Sequence, residues 1–368
     1  KIMPALPETE LPPFNAVRTK DINTFYINAH INKICCTQAD LKAVVDSDYA
    51  KPFNPFVHYF TSRKAWNGKT DFIGQMTKTV QAADQAFFED SFRRWLVGMV
   101  ACAIDDNVQN HQLMLLHGAQ GKGKSTFIRH LLPPELKDYY RNGMIIPENN
   151  NHLLQLSSCL LINLDEFDTL SPERMQNLKS LITQDVVNER KVYDIQNYTY
   201  IRRASFIAST NNPHCMPDVK ENRRILFSTL LNIDYHTPVN HEGIYAQAYA
   251  LYRQGFQYWY ENEEITFLNN RNEAFRQKDP IEENLFFYFR AARQNDIQAQ
   301  WYPASYLLSV LSMNGRKQML VTVLENNHFH SRKTSNNITE YWVVEYSAEE
   351  RKENSIRPQL PVQTGLEL

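Results

Sequence analysis

The sequence is poor in several residues and patterns that mark special protein classes. Glycine occurs only 11 times in 368 residues, so any place where several crowd together needs a local reason. There are five cysteines, Cys35, Cys36, Cys102, Cys159 and Cys215. They include an adjacent pair and no C-x-x-C spacing, which indicates neither a disulfide framework nor a zinc site and fits a reducing, cytoplasmic setting. Charge of one sign is not in excess. Lys and Arg total 39 against 41 Asp and Glu, a formal charge of −2, so no overall positive field advertises nucleic acid and any such contact must come from local basic loops. Long hydrophobic runs are missing too. Stretches such as 159–162 or 95–104 fall far short of the roughly 20 apolar residues of a membrane span, and no signal peptide opens the chain. With 43% hydrophobic residues and no internal repeat, the composition is that of an ordinary soluble globular protein long enough for two or three domains.

Residues 1–20 carry four prolines and little periodicity and read as an irregular arm, with short helices up to about 50. From 51 to 110 the text turns helical. Phe88, Phe92, Trp95, Leu96, Met99 and Ala103 fall on one buried stripe, as expected of an amphipathic helix. The runs "QLMLLHG", "SCLLINLDEFD" and "ASFIASTNN" are near-continuous apolar segments ending in polar residues, the pattern of strands buried in a parallel sheet. Helical text lies between them, including "SPERMQNLKSLIT" with Ser171 as N-cap. A three-layer α/β core over 111–262 is expected, closing with an aromatic-rich helix from Tyr245 to Glu261. Beyond an acidic boundary, 263–350 reads as helices at 281–295, 303–312 and over "RKQMLVTVLENN", followed by a hairpin turning at 335–337. Helix, helix, hairpin suggests a winged helix, and 351–368 a disordered tail. The chain opens at Lys1 rather than methionine, consistent with a fragment from which an upstream domain is missing.

Three of the glycines fall within six positions, in Gly118-Ala119-Gln120-Gly121-Lys122-Gly123-Lys124-Ser125-Thr126. This matches G-x-x-x-x-G-K-[ST], which arises by chance in a chain of this length with a probability of about one in a hundred. The physical reading is a phosphate cradle. Backbone N–H groups can surround a polyphosphate only where glycine permits positive φ or close approach. The following helix directs its free amides at the anion, Lys124 reaches the β- and γ-phosphates, and Ser125 can ligate Mg²⁺. Lys122 is expected to face solvent or a neighbouring subunit.

"LLINLDEF" then places Asp165 and Glu166 at the end of an apolar strand. The aspartate can hold Mg²⁺ and the glutamate can polarise the water that attacks the γ-phosphorus. The second carboxylate favours hydrolysis over transfer to a small molecule, whose own hydroxyl would attack. "FIASTNN" offers Asn211 to orient that water. Arg223 and Arg224 precede another apolar strand, where one of them can project into a neighbour's nucleotide site as an arginine finger or simply pair with Glu221. "NERKVYDIQNYTYIRRASF" alternates like a β-hairpin and carries Arg190, Lys191, Arg202 and Arg203. It is the best candidate for contact with single-stranded DNA, with Tyr193 stacking on a base. Near the C-terminus Arg316, Lys317, Arg332 and Lys333, with His328 and His330, either form a duplex-binding face or belong to a module packed on the ATPase.

The P-loop, "INLDEF" and the string from "NLKSLITQDVV" to "ENRRILF" resemble the virulence-associated E (VapE) family, relatives of superfamily 3 helicases, over about 50–235. The resemblance implies a P-loop ATPase core of the ASCE/AAA+ type found in phages, plasmids and genomic islands. It further implies ATP and Mg²⁺ as cofactors, a primase as neighbour or partner, and a homo-oligomer, a hexameric ring around DNA in a central pore. By that resemblance Lys124 and Ser125 fall on Walker A, Asp165 and Glu166 on Walker B, Asn211 on the sensor, Arg223 or Arg224 on the finger, and Lys191 in the pore hairpin. The chain has Glu221-Asn222 and Thr183-Gln184-Asp185 where relatives commonly carry glycine-containing phrases, which leaves open which arginine is the finger. The expected activity is DNA unwinding or translocation; the alternative is an ATP-switched DNA-binding assembly or loading factor that separates no strands.

Overall fold

The computed structural model describes residues 17–47, 49, 53–143, 150–165, 167, 172–189, 198–216, 222–276, 280–293, 296–313 and 316–351. In chain order the elements are α1 (Thr19–Ile31), α2 (Gln38–Val45), α3 (Pro55–Thr61), α4 (Phe72–Thr77), β1 (Val80–Ala82), α5 (Gln85–Ile104), β2 (Leu113–His117), α6 (Lys124–His130), β3 (Tyr140–Asn142), α7 (Asn150–Ser158), β4 (Leu161–Leu164), α8 (Pro172–Thr183), β5 (Val186–Glu189), β6 (Tyr198–Ile201), β7 (Ser205–Thr210), β8 (Ile225–Ile233), α9 (His241–Arg253) and α10 (Glu263–Glu273). They continue with α11 (Pro280–Tyr288), β9 (Phe289–Ala291), β10 (Gln300–Pro303), α12 (Ala304–Val310), α13 (Lys317–Asn326), β11 (Ser331–Lys333) and β12 (Thr339–Glu345). The chain forms two compact units. One holds the described residues up to Pro213 and from Asn222 to Asn269; the other holds His214–Met216 and the described residues from Asn270 onward.

The first unit is built on a six-stranded sheet in the order β1-β8-β2-β7-β4-β3. All neighbours are parallel except β1, which runs antiparallel to β8. Both faces are covered. Met114, Leu116, Ile207 and Leu226 share a core with α5, α6 and α9, and the alternate residues Leu113, Leu115, Phe206 and Phe227 are equally buried. That is why these strands read as unbroken apolar runs. Helix α5 carries the expected stripe of Phe88, Phe92, Trp95, Leu96, Met99 and Ala103, and from Trp95 to Ala103 it is buried all round. Trp95 donates its indole N–H to the Phe206 carbonyl (2.9 Å), fixing the helix to the sheet by a polar bond where no water reaches. No helix among the described residues is long and apolar enough to cross a membrane, and all five cysteines are free thiols.

Two expected helices end early. The helix expected to run to Glu261 stops at Arg253, because Gly255 takes φ +79° and the Gly255 and Phe256 amides bond back to Tyr252 and Leu251 (3.0 Å each), a left-handed C-terminal cap. The helix expected over 281–295 stops at Tyr288. From there Phe289–Ala291 pairs with Val343–Glu345, so sheet formation overrides helical propensity. In the second unit β10, β12 and β11 form a sheet over a core of Ile281, Leu285, Phe289, Leu307, Leu320, Leu324 and Tyr341. The hairpin turns where expected, with Asn337 at φ +58°.

Candidate nucleotide site

The P-loop connects the end of β2 to α6. Gly118 is fixed at its start: its N–H bonds the Thr210 carbonyl (3.2 Å), and a Cβ there would lie 2.7 Å from the Leu230 carbonyl oxygen. Gly123, just before Lys124, has φ +83°, and a Cβ on it would collide with the Tyr235 ring. Glycine is therefore required twice over at that position. Gly121 shares the left-handed conformation, and alternating left-handed residues create the backbone concavities that bind anions. Gln120, Gly121 and Lys122 are exposed, whereas Ser125 and Thr126 are half-buried at the start of α6.

Lys124 is 7% exposed. Its ammonium donates to the carbonyls of Gly118 (2.6 Å) and Ala119 (3.0 Å) and to Asn211 Oδ1 (2.8 Å). The contact with Asn211 follows from strand order. β7 lies between β2 and β4, so the residue beyond its C-terminal end is set between the P-loop and the end of β4. Asp165 follows β4, and its Oδ1 accepts a hydrogen bond from the buried Ser209 hydroxyl (2.7 Å). Ser209 is a residue the motif reading missed; the signal was its place in "FIASTNN", two positions before Asn211 and on an inward-facing strand end. Lys124, Asp165 and Asn211 thus meet at the C-terminal edge of three adjacent parallel strands, the edge where open α/β sheets bind ligands. Tyr140, at the start of β3, is near enough to feel both Asp165 and Arg129, and burial pushes its phenol above the usual value.

Arg223 and Arg224 sit at the opposite edge. They precede β8, whose Ile225 pairs with Leu113 at the start of β2, while Thr229 pairs with His117 at the P-loop end. The full length of β2 therefore separates them from Lys124, about 16 Å at 3.3 Å per residue, too far for a side chain of the same chain. Arg223 is exposed and Arg224 half-buried. Both line a cavity of about 390 Å³ together with His111, Tyr258, Trp259 and Tyr260. Burial, with the nearby Arg202, pushes the His111 imidazole below its usual pKa.

Glu166, Arg190, Lys191 and Tyr193 lie outside the described residues, as does Ser171. The strands flanking 190–197 do pair, with Val186 opposite Ile201 and Glu189 opposite Tyr198. Two of the basic residues assigned to that hairpin are engaged within the chain. Arg202 is fully buried and donates to the carbonyls of Asn110 (2.6 Å), Ala204 (3.0 Å) and Ile182, and Arg203 is paired with Asp106. A sequence shows that a residue is charged but not that main-chain carbonyls surround it, so the expected role of Arg202 in DNA contact gives way to a structural one.

Among solved structures, the apo form of the NrS-1 C-terminal region is 12% identical, with 77% of this chain and 78% of that chain covered at a TM-score of 0.45. Its A form is 14% identical, with 78% of each chain covered at 0.44. Among curated proteins none matches the chain. The family model of the virulence-associated protein E-like domain matches residues 61–277, more than half of the sequence and the whole of the P-loop, Asp165 and Asn211 constellation. The chain belongs to the virulence-associated protein E-like family.

Proposed function

We propose that the chain is a Mg²⁺-dependent ATP hydrolase that acts on DNA as a ring of identical subunits, in replication or mobilisation of a phage, plasmid or genomic island. The observation that carries this reading is the meeting of Lys124, Asp165 and Asn211 at neighbouring strand ends, with the lysine already bonded to the asparagine. The residues fit the groups they would hold. Lys124 is a buried cation that donates to two carbonyls and an amide oxygen, and an ionised phosphate oxygen is a stronger acceptor than any of these three. Ser125 and Asp165 offer the hard oxygen donors that Mg²⁺ prefers. Bound there, Mg²⁺ and ATP supply a polarised γ-phosphoryl group. The chain's own residues then do the rest: Lys124 neutralises the charge that develops, Asn211 orients the attacking water and Glu166 accepts its proton. Arg223 or Arg224 serves the site of the adjacent subunit.

The order of the C-terminal unit, α11, β9, β10, α12, α13 and the β11–β12 hairpin, supports a winged-helix-like module. The exposed Arg316, Lys317, His328, His330 and Lys333 are its nucleic-acid face, while Arg332 is engaged with Glu340 (2.7 Å). ATP turnover with Mg²⁺, with and without single-stranded DNA, is the test. Lys124→Ala and Asp165→Asn should each lower kcat by about 100-fold or more, and Glu166→Gln should bind ATP without cleaving it. A Lys124→Ala protein as active as the parent would remove the reading. On a forked duplex, Lys191→Ala should lose strand separation; a parent protein that hydrolyses ATP yet separates no fork is instead an ATP-switched loading factor.

A further inference from the structure

Beside the P-loop runs a groove of about 570 Å³ that the phosphate chemistry does not use. Arg129 and His130 from the last turn of α6, Tyr140 at the start of β3, and Tyr235, Pro238 and Val239 of the turn after β8 line it. It is tied to the nucleotide site at two points. The Tyr235 ring packs so closely on Gly123 that no side chain could stand there. On the other side, Tyr140 opens β3, which pairs with β4, the strand that leads into Asp165. The groove therefore begins where the phosphate cradle ends.

The turn that walls the groove is preformed. Asp234 accepts from the His236 amide (3.1 Å) and from the Thr237 hydroxyl (2.6 Å), and His241 Nε2 meets the His130 carbonyl oxygen at 2.8 Å. The His236 ring lies 4.4 Å from that of Tyr235, leaving an aromatic surface at the mouth. A slot of aromatic and aliphatic groups that is shaped before binding suits a flat heterocycle. Among the described residues none of those lining it is a carboxylate, so no side chain lining it offers the bidentate acceptance of the N1–H and exocyclic amine of guanine that a carboxylate provides. Resting on the P-loop reading, we propose that this groove receives the base and ribose of the bound nucleoside triphosphate, with Tyr235 as the face against which the base lies and adenine as the base it takes.

Calorimetry on the full chain with Mg²⁺ tests this, comparing ATP, GTP and inorganic triphosphate. The parent should bind ATP at least tenfold more tightly than GTP or triphosphate. Tyr235→Ala should lose that advantage while holding triphosphate as the parent does, and Tyr235→Phe should keep it. If Tyr235→Ala binds ATP like the parent, or the parent binds ATP no better than triphosphate, the groove is not the base site although the P-loop reading stands. If the parent binds none of the three, the P-loop reading itself fails. Should Tyr235→Ala lose triphosphate as well, through its contact with Gly123, photolabelling of the parent with 8-azido-ATP decides: label on residues 235–241 or on Tyr140 supports the proposal, and label elsewhere overturns it.

Discussion

Arg202 shows how much organisation a single side chain can carry. Fully buried, it distributes its guanidinium over main-chain carbonyls that end α8 (Ile182), precede β2 (Asn110) and begin the approach to β7 (Ala204), with its flat face over the Phe206 ring. Burial disfavours the charge; the carbonyl oxygens, with Asp185 nearby, offset that cost. The base of the β5–β6 hairpin is thereby locked to the strand that carries the P-loop. Arg202→Met removes the donors that these carbonyls share in a buried site, so it should destabilise the unit by about 3 kcal/mol or more. Arg202→Lys should recover little, since an ammonium cannot reproduce the planar fork. Urea unfolding followed by circular dichroism checks this, and midpoints shared by parent and Met variant would show that the carbonyls find other partners.

At the scale of elements, Asp71 joins three helices. It caps α4 through the Gly74 amide (3.0 Å), holds α5 through a two-point bond to Arg93 (3.0 and 2.7 Å), and accepts from Gln247 of α9 (2.8 Å). Arg93 above all keeps its carboxyl well below the usual carboxylate range; burial pushes the other way, and Gln247 and the Gly74 amide add to the lowering. A group with a lowered folded-state pKa stabilises the fold above its unfolded value and loses that contribution as pH falls toward the folded one. Its side chain is half exposed, so solvent screens the ion pair and the cap is the firmer part of the effect. Asp71→Asn keeps an oxygen that can cap α4 and removes only the charge facing Arg93, so it should cost about 0.5 kcal/mol at pH 7, and the difference from the parent should close as pH falls below about 4. A gap between the two melting curves that stays constant from pH 7 to pH 3 would contradict the assignment. Elements buried on both faces were the ones legible beforehand: β2, β4, β7 and α5 announce themselves because a strand or helix without a wet side has no polar positions to alternate. β1 and β3, three residues each, are too short to leave a period. The adjacency of β7 to β2, which brings Asn211 to Lys124, is a matter of crossover and has no local signature. Tyr235 escaped notice for the same reason: one tyrosine after a strand becomes significant only when the turn folds back onto Gly123.

For the whole molecule, the role proposed for Arg223 and Arg224 requires a second copy. The two arginines flank the start of β8, and the P-loop opens at the far end of β2 alongside it, so within one chain they cannot assist the chemistry at Lys124. In a closed ring of identical subunits every edge of one kind faces an edge of the other, and each P-loop then receives arginine from its neighbour. This arrangement has a consequence that neither a monomer nor a merely structural pair of arginines shares. A protein with Arg223→Ala and Arg224→Ala should bind ATP about as well as the parent but hydrolyse it about 1000-fold more slowly, and Lys124→Ala should be nearly inactive because the charge that develops at its own P-loop is no longer neutralised. Mixed before assembly, the two inactive proteins should regain hydrolysis, because a Lys124→Ala subunit still presents intact arginines to a neighbour whose P-loop is whole. Turnover measured across a series of mixing ratios should rise to a maximum between the two pure proteins. A profile that stays at the baseline throughout places the arginines outside the neighbour's site, and a double-arginine variant with parental turnover removes them from the chemistry altogether.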